Sequence, residues 1–176
     1  MSENACEVCT ISSIPARLHR NGRPVISEFD EDELLYRRFK VEGSKEDWET
    51  NQDSRVKIFA MDNDSYNRSK FSECPEDVLY NKDSEEHHLA YGIVSIKVSD
   101  VLSIREAEVN NERRIFTAVV NHKPENCMYP HCDLVIYSNG QVAEKRPKSV
   151  KAVFRNLLVG FLKIEKPFVK GQESNG

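Results

Sequence analysis

Between residues 91 and 98 the chain reads Tyr-Gly-Ile-Val-Ser-Ile-Lys-Val, and this crowd of β-branched side chains predicts a strand. Residues 34–39 (Leu-Leu-Tyr-Arg-Arg-Phe), 56–61 (Val-Lys-Ile-Phe-Ala-Met) and 114–121 (Arg-Ile-Phe-Thr-Ala-Val-Val-Asn) predict three more. Residues 133–137 and 141–145 bracket Ser138-Asn139-Gly140, a hairpin signal because Asn and Gly tolerate positive φ. Asn21-Gly22 marks another turn, and the residues at 62–67 read as a break after the strand at 56–61. Residues 75–80 suit either a short helix or a return to the sheet. Ser99-Asp100 offers an N-cap for a helix running to about Glu108.

One element has a helical period. Val150, Val153, Phe154, Leu157, Leu158, Phe161 and Leu162 recur at the spacing of a single apolar face, with Ser149 as its expected cap. Lys148, Lys151, Arg155 and Lys163 fall on other faces, as expected of a core helix with a solvated basic side. The pattern as a whole predicts an α+β fold: a single domain over residues 14–170, built on a mostly antiparallel sheet with an amphipathic C-terminal helix. Residues 1–13 read as a flexible leader and 171–176 as a disordered tail.

The chain has 176 residues, a length suited to one domain, and its longest apolar run falls far short of the roughly 20 residues that span a bilayer. A net charge of -4 argues against dedicated nucleic-acid binding. The N-terminus lacks a basic start followed by an apolar stretch, and the five cysteines are an odd number for a disulfide framework. A cytoplasmic setting is expected, with thiols free or on metal.

Cysteines supply the first candidate chemistry. Cys6 and Cys9 form a Cys-x-x-Cys knuckle, and Cys127, His131 and Cys132 cluster later, so a structural zinc drawn from these five is one reading. Free thiols and a loop histidine are the other. Arg37 and Arg38 provide a second candidate, because a guanidinium fork suits phosphate or carboxylate. Alternation along a strand puts the two on opposite faces, and ion pairs with Glu31, Asp32 or Glu33 are the plainer reading. Arg68, Ser69, Lys70 and Ser72 form a basic, hydroxyl-rich stretch without the glycines of a phosphate loop. His131 is a candidate base, although an extended backbone turns it away from Cys132. No Gly-x-Ser-x-Gly, His-Glu-x-x-His or Gly-x-Gly-x-x-Gly occurs, which removes the commonest motif-defined hydrolases, zinc peptidases and dinucleotide folds.

The order of the early Tyr36-Arg37-Arg38, the segment from Ser69 to Asp77, Tyr91-Gly-Ile-Val, His131 and the final helix resembles a group of short, uncharacterised bacterial proteins. Those carry an early Tyr-Arg-Arg, a middle Ser-x-x-Phe and a late His. More distantly, Tyr36-Arg37 and Arg68 followed by Val78-Leu79-Tyr80 are similar to parts of RES-type toxin domains, which consume NAD. The Gly and Trp that flank the second Arg in those domains are missing. That likeness implies that Arg37 or Arg38 and Arg68 grip the dinucleotide, with Ser69 beside them and Tyr80 near the nicotinamide. Three function classes follow as expectations. The first is a bacterial binding or accessory module whose partner is another protein or a small anionic ligand. The second is an NAD-consuming or ADP-ribosyl-transferring enzyme, and the third a small zinc-stabilised interaction module.

Overall fold

A computed structural model describes residues 14–39, 55–58, 65–80, 91–124, 128–142 and 148–166. The strands are β1 (Leu34–Phe39), β2 (Ser65–Arg68), β3 (Gly92–Lys97), β4 (Glu106–Val109), β5 (Glu112–His122), β6 (His131–Ser138), β7 (Gln141–Val142) and β8 (Lys163–Lys166). Among the described residues two longer α-helices, α1 (Val98–Ser103) and α2 (Lys148–Val159), accompany them, with 3-10 turns at Ala16–Leu18, Ser69–Phe71 and Pro75–Leu79. All strands join one antiparallel sheet in the order β4-β5-β6-β2-β1-β3-β8, and β7 pairs with β6. Sheet therefore dominates the described residues.

Alternation decides which way β5 and β6 face. Phe116 and Ala118 are buried while Ile115 and Thr117 are exposed, and in β6 every second residue from Cys132 to Ser138 is buried. The register pairs Ala118 with Ile136 and Val120 with Leu134, so these apolar side chains share one face. Against it lies α2, whose Val150, Phe154 and Leu158 recur every four residues and are buried in the same cluster. The Phe154 ring meets Phe116 at 5.4 Å between centroids, tilted by 60°. The first five residues of β3 are buried because both its faces are covered. Val94 and Ile96 look toward α2, whereas Ile93 packs with Tyr36, Val78 and Leu79 on the reverse side.

Local expectations fail where pairing overrides propensity. Residues 55–58 form a short helical turn closed by Ile58 N donating to Arg55 O, not the start of a strand; 59–61 lie outside the described residues. Ser65, Tyr66 and Asn67, expected in a turn, belong to β2 and pair with β6. The helix expected to reach Glu108 ends at Ser103, and Glu106–Val109 instead pairs with β5 across the Asn110-Asn111 turn. Both asparagines sit at positive φ, 54° and 63°, a twist suited to a tight hairpin. Ser149 lies inside α2 and not at its cap; its Oγ accepts from Asn110 Nδ2 at 3.4 Å.

The Asn139-Gly140 turn forms where expected, at φ 49° and 75°. Asn139 Oδ1 accepts the Ile115 N–H at 2.9 Å, tying the turn to β5 as well. Nothing lies within 4 Å of a Cβ added at Gly140, so only backbone strain opposes a side chain there. Gly140→Ala is expected to cost roughly 1 kcal/mol, the penalty of an L-residue in the left-handed region, read as a lower urea midpoint. No helix among the described residues is long and apolar enough to cross a membrane.

Candidate functional site

Arg68 ends β2 opposite Leu35 and is fully buried. Its Nε and Nη2 donate to the two Glu33 carboxylate oxygens at 2.6 and 2.8 Å. Nη1 donates to Ile26 O and Nη2 also to Glu28 O, each at 2.6 Å. Four of its five N–H groups are thereby engaged. The guanidinium carbon sits 3.7 Å from the Phe29 ring centroid and 4.7 Å from that of Phe71. A charge removed this far from water needs such a complete set of partners.

The carbonyls that Arg68 holds belong to residues 23–33, a stretch without helix or strand that reaches β1. Other side chains fasten the same stretch. Tyr129 Oη donates to Pro24 O at 3.0 Å, and Leu34 N donates to Ser69 Oγ at 2.9 Å. The Arg23 guanidinium lies 3.5 Å from the Tyr129 ring centroid. His122, near the end of β5, accepts the Ile26 N–H on Nδ1 at 2.9 Å, so its single proton sits on Nε2 and is donated to Tyr129 O at 2.7 Å. Its ring stacks on Phe71 at 5.1 Å and meets Tyr129 edge-on at 5.0 Å. Burial holds the imidazole below its ordinary value, and Arg68 and Arg23 push the same way. The Tyr129 carbonyl and Glu33 oppose them.

The residues expected to carry catalysis divide between the two faces of the sheet. Arg37 donates to Ile58 O and Ser65 O and lies over the Tyr66 ring, on the face that carries Arg68. Arg38 turns to the other face and donates to Val78 O and Tyr80 O. There Tyr80 packs against Ile14, Leu18 and Met128. Arg38 and Tyr80 thus meet, through a backbone carbonyl, while Arg37 and Arg68 lie on the reverse. Ser69 spends its hydroxyl on Leu34. His131 Nδ1–H donates to Lys123 O at 2.7 Å, and its Nε2 lies 3.8 Å from Asp133 Oδ1. The geometry therefore shows Arg68 gripping the protein's own backbone.

Of the residues expected to hold zinc, Cys6, Cys9 and Cys127 lie outside the described residues. His131 and Cys132 are neighbours on β6 and point to opposite faces, as an extended backbone requires. Cys132 is enclosed by the main core, where burial pushes its thiol far up and keeps it protonated. Its side chain packs among the apolar residues of that core, fully buried. Among the described residues no group of three or more His, Cys, Asp or Glu side chains is placed to hold a metal.

Sequence reasoning missed a second polar centre on the reverse face. Asp77, almost fully buried, accepts from Arg17 Nη2 and from the Glu73 N–H at 2.8 Å. Nearby, Tyr36 has its phenol pushed up by burial, then by Glu165, Cys74 and Glu76. Cys74 is raised by burial and by Asp77 and Glu76, which makes its thiol a poor nucleophile. No family model matches the chain, and no curated protein or solved structure matches it either.

Proposed function

We propose that the chain is an α+β binding or accessory module, a single domain whose partner is another protein. One observation carries the reading: the outer face of β4–β6 stays open around Ile115, which is 60% exposed. Thr117, Val119, Val135 and Tyr137 share that face by alternation and register, none of them buried. The charges beside them have mixed sign and partner one another, Arg113 reaching Glu106. An aliphatic and aromatic patch rimmed by both charges suits a protein surface better than an anion, which would find this arginine already engaged. Both outer strands of the sheet are short and charged, β4 with Glu106 and Glu108 and β8 with Lys163, Glu165 and Lys166, so strand addition at an edge is disfavoured.

Ile115→Glu places a charge at the centre of this patch without touching the core. Retention of a protein partner by the immobilised chain is expected to fall at least tenfold with this variant, while the urea midpoint moves little. Partner retention indifferent to Ile115→Glu overturns the reading. So does release of nicotinamide from NAD by the purified protein, which would favour the ADP-ribosyl-transferring alternative.

A further inference from the structure

We propose that residues 23–33 form a strap that neutral His122 holds closed and that acidification releases, uncovering the aromatic layer of Phe29, Phe71 and Tyr129. The strap has no regular structure of its own, so side chains of the sheet hold it, together with the Val98 and Ser99 N–H groups that donate to Glu33 O and Glu31 O. His122 holds it through Ile26 N–H, its only nitrogen lone pair being the acceptor. The other ring nitrogen is committed to Tyr129 O. A second proton can enter only at Nδ1, where it faces the Ile26 N–H: two donors meet with no acceptor between them. Water cannot fill the gap cheaply, because the residue is 6% exposed and stacked on Phe71.

The charged surroundings sharpen the effect. Arg68 on β2 and Arg23 on the strap both repel an imidazolium, and Glu33, the nearby anion, is held by Arg68. Across the strand pair lies Cys132, a neutral thiol, and the Tyr129 hydroxyl proton is given to Pro24 O. Among the described residues no neighbour supplies a free negative charge to welcome the second proton.

The sign follows from the two states. With the strap open the ring meets water and titrates near 6.5, whereas closed it titrates lower. Closure is fully favoured above about pH 6.5 and weakens as pH falls below it. Below that midpoint the rise of the opening equilibrium approaches tenfold per pH unit until the closed form is itself protonated. The window from 7.5 to 5.5 stays above the ordinary carboxylate range.

Native-state hydrogen exchange, corrected for the intrinsic pH dependence of amide exchange, tests this on the full chain. Protection at Ile26 and its neighbours in the strap is expected to fall about fivefold between pH 6.5 and 5.5, while amides at the centres of β5 and β6 keep theirs. His122→Gln, whose amide both accepts and donates but does not titrate, is expected to abolish the pH dependence. If that variant does not fold, nitrogen chemical shifts of the wild-type ring replace it. They are expected to show the Nε2–H tautomer at pH 7.5 and a midpoint that coincides with the loss of Ile26 protection. Strap protection that ignores pH, a loss that persists in His122→Gln, or a ring that titrates without altering the strap overturns the proposal.

Discussion

Arg68→Met is expected to destabilise the protein by about 3–5 kcal/mol, measured by urea unfolding, because it strands a buried carboxylate. Glu33 loses both short hydrogen bonds from the guanidinium, and the carbonyls of Ile26 and Glu28 lose their donors together. The methionine fills much of the space between Phe29 and Phe71, so the loss reads as electrostatic rather than as a cavity. Adding Glu33→Gln removes the stranded charge, and the double variant is expected to recover part of the loss. A single variant within about 0.5 kcal/mol of the wild type would show that Arg68 is dispensable to the fold, since changes that small are typical of surface positions.

Phe154→Ala is the other large effect, with an expected cost of about 3–5 kcal/mol. The ring is fully buried, packs on Phe116, and belongs to the α2 stripe that covers β5 and β6. Its removal leaves a void walled by several elements, which cannot all collapse inward. The urea midpoint is expected to drop with the slope unchanged, as for a protein that still unfolds in one step. A much smaller loss would mean that α2 contributes little to holding the sheet together.

Much of the fold was legible because its elements advertise themselves locally. The alternation of β5, the β-branched run of β3, the four-residue period of α2 and the Asn139-Gly140 turn all depend on residues close in sequence. Two of the failures share one cause. Ser-Tyr-Asn-Arg in β2 looks like a polar break, and its burial is supplied by a strap some forty residues upstream. Glu106-Ala-Glu in β4 has helical propensity, and only pairing with β5 makes it a strand.

The candidate site was less legible still. Arg68 stood out, but as a ligand clamp, because its real partner Glu33 lies 35 residues away and carries no motif. Arg37 and Arg38 were correctly placed on opposite faces, since that follows from the strand period alone. His122 and Tyr129 were overlooked for the same reason as Glu33. Their roles arise from contacts with residues 24 and 26, about a hundred positions earlier.

That separation bears on how the protein is made. The anchors of residues 23–33 come from β2, the start of α1, β5 and the turn before β6, so the stretch is not fully fastened until Tyr129 has left the ribosome. At ordinary synthesis rates it waits on the order of ten seconds with Phe29 uncovered. The β4–β7 meander, by contrast, joins neighbours along the chain and can form as it emerges. The β4–β7 hairpins can thus form against the order of translation, before the earlier-made strap is fully closed over them.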